Sequence, residues 1–424
     1  MSAPSSPPPR LLASRDVRLL LAGQTTSQLG TQVSGVAIPL LAVGALSATT
    51  FEIGLLGAAS TIAFAVLGLP AGAWLDRVRR RPVLVASDIV RAVLLVSIPI
   101  AGILGILTMT QLLVVALLTG VARVFFDVGY QSYIPSVVGR DRVLAGNSAM
   151  EVLRSGGQIA GPGLGGILVT LLGAANVVLV QAVAFAVSAV SLRAIRAREE
   201  PVDPAAHAGP LWHRILEGVR FVVRDRALRA TALASAAGNL SFAIASAVTI
   251  VFLVRDLGQP AWVVGLLLTV SSVAVPIGAA LTPTLARRLG SVRIIWLSVA
   301  VTGPLSLLVV LATPGWGLAF AVAGMAAGEF GQIIYAITNV SLRQRICPDR
   351  ILSRVNATMR FAIMGLFPLG ALMGGILGQL LGTRWTLLVA GVVLLTGPVV
   401  LVLALRGRRD VEDLVAGSAA PPAE

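Results

Sequence analysis

GGILVTLLG at residues 165–173 returns as GGILGQLLG at 374–382, an offset of 209 residues. The same offset takes Asn147 to Asn356 and Met150 to Met359. Just upstream, DRVLAGNSAM at 141–150 is echoed by DRILSRVNATM at 349–359, with one residue inserted. Each copy lies in an apolar run of about 20 residues or more, the length that crosses a bilayer. A membrane-embedded unit has therefore been duplicated, and the two copies mark the same span of it.

The rest of the chain agrees. Its 424 residues are 56% hydrophobic and 12% charged, with a mean hydropathy of +0.89, whereas a soluble domain carries about 25% charged residues. Apolar runs between polar breaks define twelve spans. They fall at 18–44, 52–75, 83–106, 111–135, 147–172 and 174–193, then at 229–253, 261–286, 292–312, 317–342, 356–381 and 385–405. The quoted repeats make span 5 the counterpart of span 11. The expected fold is an all-α polytopic membrane protein, with twelve transmembrane helices in two pseudo-symmetric six-helix bundles. Two halves of the same topology imply a pseudo-two-fold axis along the membrane normal, a layout found in secondary transporters.

The expected organisation is a disordered cytoplasmic arm at 1–16, a six-helix bundle at 17–193, a cytoplasmic linker at 194–228, a second bundle at 229–405 and a tail at 406–424. In the linker, Leu211, Ile215, Leu216, Val219 and Val222 recur at helical spacing. That pattern predicts an amphipathic helix lying on the inner membrane surface. Twelve is even, so both termini share a side. All 33 basic residues are arginine: four lie within spans (Arg91, Arg123, Arg154 and Arg360), Arg255 and Arg384 lie in loops on the far side, and the remaining 27 are on the side of the termini. The positive-inside rule places that side in the cytoplasm, and the expected location is the plasma membrane.

Composition also excludes chemistry. The net charge of +14 comes from inside loops between spans, so it does not point to nucleic acid. Cys347 is the one cysteine, too few for a disulfide or a multi-cysteine zinc site. His207 and His213 share a polar linker and read as solvated. No phosphate loop, HExxH or GxSxG pattern occurs. Neither metal, cofactor nor enzyme is expected. The expected partners are a small-molecule substrate, protons and the lipid bilayer, for a chain acting as a monomer.

GAWLDRVRRRPVL at 72–84 follows span 2. Gly72, Asp76, Arg77, Arg80 and Arg81 make a tight cytoplasmic turn in which Asp76 pairs with arginines or caps a helix. Such a cluster can hold one conformation and release it in another; the alternative is a plain basic inside loop. The counterpart PTLARRLGSVR at 283–293 has Arg287 in the aspartate position. In span 5, GGQIAGPGLGGIL at 156–168 holds six glycines and a proline. Gly157, Gly161 and Gly165 stack along one face at a spacing of four, which admits another backbone closely. Pro162 bends the helix where neighbours absorb it, and Gly166 extends the small face.

The first loop resembles the G-x-L-a-D-r-x-G-r-[rk] motif of the major facilitator superfamily, departing from it at Arg79, where the family has a glycine. The span-5 pattern resembles the signature of that superfamily's drug/proton antiporters. Its alternative is ordinary helix packing, since Gly370, Gly374 and Gly378 keep the spacing without the Gly-Pro. SRDVRLLLAGQTTSQLGTQVSGVAIPLL, FFDVGYQSYIPSVV and ILEGVRFVVRDRALR look like the branch holding the enterobactin exporter and macrolide-efflux-type proteins. The resemblance implies efflux of an amphipathic small molecule (a drug, antibiotic or siderophore) by alternating access. A uniporter or importer is the alternative, and a non-transporting receptor or scaffold a more distant one.

Polar residues inside spans are candidates for the substrate path. Gln24, Gln28 and Gln32 form a stripe on span 1, and Ser235 and Asn239 a shorter one on span 7, with Tyr335 offering an apolar wall. Such amides need water or a partner, so each stripe lines a cavity or hydrogen-bonds another helix. Among charged residues, Asp88, Arg91, Glu151, Arg154 and Arg360 lie near cytoplasmic ends, where snorkelling or gate pairing accounts for them. Arg123 and Asp127 lie about 18 and 24 Å from the outer end of span 4, and Glu329 about 18 Å from that of span 10. Arg123 shares a face with Asp127 and favours its charged form, making it a poor proton carrier. Glu329 has no basic residue within a turn. It is the leading proton-coupling candidate, followed by Asp127 with Arg123 and by Glu151; a glutamate hydrogen-bonded between helices is the alternative.

Overall fold

The computed structural model describes residues 14–75, 77–139, 143–197, 199 and 211–410. The arm, Asp76, most of the linker and most of the tail lie outside the described residues. The first half holds α1 (Arg15–Gly44), α2 (Thr50–Leu75), α3 (Arg80–Ile103), α4 (Met109–Val138), α5 (Val143–Leu172) and α6 (Ala174–Ala194). After α7 (Leu211–Arg224) come α8 (Arg226–Val251), α9 (Ala261–Ser272), α10 (Ala274–Leu289), α11 (Arg293–Ser306), α12 (Leu318–Ile346), α13 (Asp349–Leu381) and α14 (Thr383–Leu405). With α9 and α10 forming one interrupted span, the twelve expected crossings are all present.

Ten of them are long and apolar enough to cross a membrane on length and hydropathy. The two not among the ten are α1, with its glutamines, and α5, with its glycines. Many hydroxyls within spans are satisfied inside their own helix. Thr31, Thr119, Thr302 and Thr338, for example, each donate to the carbonyl one turn back. Without water in the bilayer core, that back-bonding removes the cost of a bare hydroxyl. Helix starts carry their own signals. Thr49 and Glu52 form a reciprocal capping box at α2, and Asp225 accepts from the Leu228 amide at α8.

The chain divides into two compact units, residues 1–41 with 66–207 and residues 42–65 with 208–424. In the first, α3 packs on α4 and α6. Its core joins Val17 and Leu20 of α1, Leu84 of α3, Tyr130 and Tyr133 of α4 and Leu192 of α6. In the second, α8 packs on both α13 and α14, and α12 on α10 and α11.

Two local features depart from the expected picture. The amphipathic helix α7 does not spend its whole apolar face on the membrane surface: Phe221 and Val222 pack with Leu228 of α8, Val355 and Met359 of α13, and Cys347 at the end of α12. A strong amphipathic pattern reports that a face is covered, but not by what. The second feature is the break between α9 and α10. Pro276 lacks an amide hydrogen, and its ring meets the carbonyl four residues back, at Ser272. The helix ends at that residue.

Candidate functional site

In the first unit the glycine face of α5 lies against α1. A Cβ on Gly161 would overlap the Gln32 Cβ and come within 3.3 Å of the Gln32 backbone. One on Gly165 would stand 2.8 Å from the Val33 carbonyl oxygen. The second unit repeats the crossing between α13 and α8, where a Cβ on Gly374 would stand 2.5 Å from the Ile244 carbonyl oxygen. Gly157 is less crowded, 3.8 Å from Gln32. The glycines are thus needed for backbone contact, and Gln32 of the expected path stripe is taken up by that contact. Gln28 is partly buried beside it, and Gln24 has its carbonyl oxygen buried without a hydrogen-bond partner.

In the second unit the candidate path residues hydrogen-bond across helices. Ser235 and Tyr335 are 4% and 3% exposed. The Tyr335 hydroxyl donates to the Thr231 carbonyl at 2.7 Å, so its 2.9 Å contact with Ser235 is a bond that Ser235 donates. Asn339 donates to Ser235 at 3.2 Å, and Asn239 to the Ser235 carbonyl at 3.0 Å. These residues tie α8 to α12, the interhelical alternative that their spacing allowed. Their spacing was ambiguous because a buried amide stripe and a wet one look alike in sequence.

The loop after α2 is held by a residue that the motif did not reveal. Glu199 accepts the backbone amides of Arg80 at 2.7 Å and Arg81 at 2.8 Å. A carboxylate thus sits at the N-terminus of α3, where unpaired amides and the helix dipole favour it. Arg81 also donates to the Leu192 carbonyl at 3.0 Å and to the Arg193 carbonyl. A Cβ on Gly72 would stand 3.9 Å from Val128, and the Arg77 amide closes a turn on the Trp74 carbonyl. In the second unit Asp410 accepts from the Ser291 amide at 2.8 Å, just before α11. Glu199 and Asp410 are 211 residues apart, as are Arg80 and Ser291. The internal repeat, followed to the end of each half, is the signal that would have found both caps.

Charged residues in the spans fall into distinct environments. Asp88 and Arg91 form a salt bridge at 0% and 5% exposure. The Arg91 guanidinium lies between the Phe126 and Phe185 rings, 4.3 and 4.1 Å from their centroids. Snorkelling, expected from sequence, does not describe this pair; α4 and α6 enclose it. Removing one partner of such a pair costs about 3–5 kcal/mol, because it leaves a buried charge uncompensated. Asp88→Asn is therefore expected to cut the yield of folded protein, whereas Glu151→Gln is expected to leave it unchanged, since Glu151 and Arg154 pair at 2.6 Å with both side chains more than half exposed. Detergent-solubilised yield and thermal unfolding check the contrast. Arg123 and Asp127 pair at 3.3 Å, as their spacing implies, with both side chains over a third exposed. The two far-side arginines also have defined partners. Arg255 donates to the Ala48 carbonyl at 2.7 Å, and Arg384 to the Ala312 carbonyl at 2.9 Å.

Glu329 stands apart. It sits on α12 facing α9, and one carboxyl oxygen is buried with no hydrogen-bond partner. The Ser272 hydroxyl, on the last residue before the α9/α10 break, donates to the Leu268 carbonyl at 3.0 Å. No described arginine pairs with it. Among the described residues, no three His, Cys, Asp or Glu side chains gather to hold a metal.

Comparison with known proteins decides the family. The sequence profile of the Major Facilitator Superfamily matches residues 20–366. The chain belongs to the Major Facilitator Superfamily. It is 25% identical over 396 residues to the "Multidrug efflux pump Tap" of Mycolicibacterium fortuitum, an alignment covering 92% of this chain and 96% of that one. Among solved structures, the nucleoside transporter NupG (D323A mutant) overlays with a TM-score of 0.74 at 14% identity, covering 92% of this chain and all of NupG. A bacterial homologue of the iron transporter ferroportin, in its inward-facing state, overlays with a TM-score of 0.73 at 18% identity, covering 92% of this chain and 99% of that one. The Major Facilitator Superfamily is one of transporters of small molecules, not of enzymes. The chain is accordingly a multi-pass membrane transporter.

Proposed function

We propose that this transporter exports amphipathic small molecules in exchange for protons by alternating access, as a monomer in the plasma membrane with both termini in the cytoplasm. Its likeness to the Tap efflux pump over nearly the full length of both chains supports export. Coupling to protons rests on one observation: Glu329 is a carboxyl within a span, with a buried oxygen that nothing satisfies and no arginine beside it. An ionisable residue inside a span with no fixed counter-charge is a functional candidate, and an alternating-access cycle supplies the change of surroundings that proton exchange there requires. Arg123 and Asp127 are already paired and are second candidates. Gln24 and Gln28 are the proposed path residues. The loop around Gly72, Arg77, Arg80 and Arg81 is the proposed cytoplasmic latch, with Glu199 as its clasp.

Expression in an efflux-deficient host tests the export reading. Tolerance is expected to rise for several chemically unrelated amphipathic drugs, and ethidium to be expelled faster than from empty-vector cells. Faster ethidium entry with no gain in tolerance would instead mark an importer or uniporter.

A further inference from the structure

Of the four arginines within spans, three have an acid three or four residues away. Arg91 pairs with Asp88, Arg123 with Asp127 and Arg154 with Glu151. Arg360 of α13 is the exception: it is exposed, and no described carboxylate pairs with it. Its guanidinium lies over the Phe64 ring of α2, 5.7 Å from the centroid. A ring face favours the charge but accepts none of the in-plane N–H donors. The face of α13 that carries Arg360 is turned toward neighbouring helices. Met364 and Phe367, four and seven residues on, share it. Further along, that side of the helix becomes glycine. A Cβ on Gly374 would stand 2.5 Å from the Ile244 carbonyl oxygen of α8, and one on Gly375 3.0 Å from the Gly54 Cα of α2. At the glycines α2 and α8 close on α13, whereas nearer Arg360 the face is open. There Met364 is 37% exposed, and Phe367 meets Phe242 of α8, itself 62% exposed, with ring centroids 6.0 Å apart. A cation thus stands about 10 Å along the helix from an apolar wall.

We propose that Arg360, with Met364, Phe367 and Phe242, forms a subsite for substrates that carry an anionic group on an apolar body. The carboxylate, sulfonate or phosphate sits on the guanidinium, and the apolar body lies along the methionine and the two rings. This rests on the reading of the chain as a transporter of amphipathic molecules, and it narrows their class. A charge inside a span without a counter-ion is costly, and an anion brought by the substrate removes that cost while it is bound. The planar fork of a guanidinium matches such groups with two parallel hydrogen bonds. Arg123 and Arg154 already spend their charge on Asp127 and Glu151, which leaves Arg360 as the in-span arginine open to a ligand. An anionic phospholipid headgroup shares this chemistry, and the test separates the two.

The test is a fluorescence titration of the full chain in phosphatidylcholine nanodiscs with dansyl-phenylalanine, ionised at neutral pH, and with its uncharged amide, which has the same apolar body. The wild type is expected to bind the acid about tenfold more tightly than the amide, the worth of one charge-assisted contact. Arg360→Gln is expected to bind the two alike. Arg360→Lys keeps the charge without the fork and is expected to retain about a threefold preference; it carries the test if the glutamine variant accumulates poorly. Equal affinity for acid and amide in the wild type, or a tenfold preference surviving in either variant, overturns the subsite. If phosphatidylglycerol added to the nanodiscs competes with the acid, the anion is a lipid headgroup and the substrate role falls. The ratio is read at equilibrium and does not depend on transport. A wild type that prefers the acid but expels no ethidium would therefore refute export and leave the subsite standing.

Discussion

Glu329→Gln is expected to abolish pH-gradient-driven ethidium accumulation in everted vesicles while leaving exchange of ethidium across the membrane without a gradient. The substitution keeps the volume and the hydrogen-bonding outline of a protonated glutamate but has no proton to release. Glu329 is only half-buried, and one of its oxygens is already unsatisfied, so little packing is at stake and the protein should still insert. Loss of both modes together would indicate a folding defect or a substrate contact instead. A full response to the gradient would transfer the role to Asp127 or Glu151. Among alternative carriers, Glu151 is the simplest control: its exposed pair with Arg154 at the start of α5 is expected to tolerate Glu151→Gln without loss of coupling.

The second large effect belongs to the α1–α5 crossing. Gly161→Leu forces a branched side chain into Gln32, whose backbone is already 3.3 Å from where the Cβ would stand. Because the obstacle includes main chain and not only a mobile side-chain tip, relief requires the helices to separate. The cost is about 3 kcal/mol, the upper part of the range for overpacking. Transport should be lost while the protein remains in the membrane. Gly156→Leu, one residue from the packed face, has nothing within 4 Å of its Cβ position and should transport normally. Wild-type efflux from Gly161→Leu cells at equal expression would contradict the packing.

What the sequence revealed depended on how local the governing interaction is. The repeated GGIL segments, the apolar runs and the arginine bias are properties of single spans or loops, and they yielded the twelve crossings and the duplication. The i, i+4 glycines foretold a close helix crossing, though not that its partner is α1, because spacing alone determines which residues share a face. The break in span 8 was readable in principle, since Pro276 acts on a residue four positions away, but an uninterrupted apolar run concealed it. Residues whose partners are distant in sequence were harder. Glu199 clasps a helix start more than a hundred positions earlier, and Ser235 meets Tyr335 a hundred positions later. Asp88 looked like a residue near a membrane edge because its one-dimensional position does not show the rings of Phe126 and Phe185 closing over Arg91. Polar residues in spans are assigned by what they face, and facing is a tertiary property.

Proton-coupled export is tested most directly with the purified protein in liposomes, by imposing a pH gradient and following ethidium. With the lumen acid and the cytoplasmic face of the transporter outward, ethidium is expected to accumulate inside, against its concentration gradient. Accumulation should collapse when a protonophore dissipates the gradient, and Glu329→Gln proteoliposomes should show none. Accumulation that persists after the protonophore, or ethidium that only equilibrates whatever the pH gradient, would contradict it.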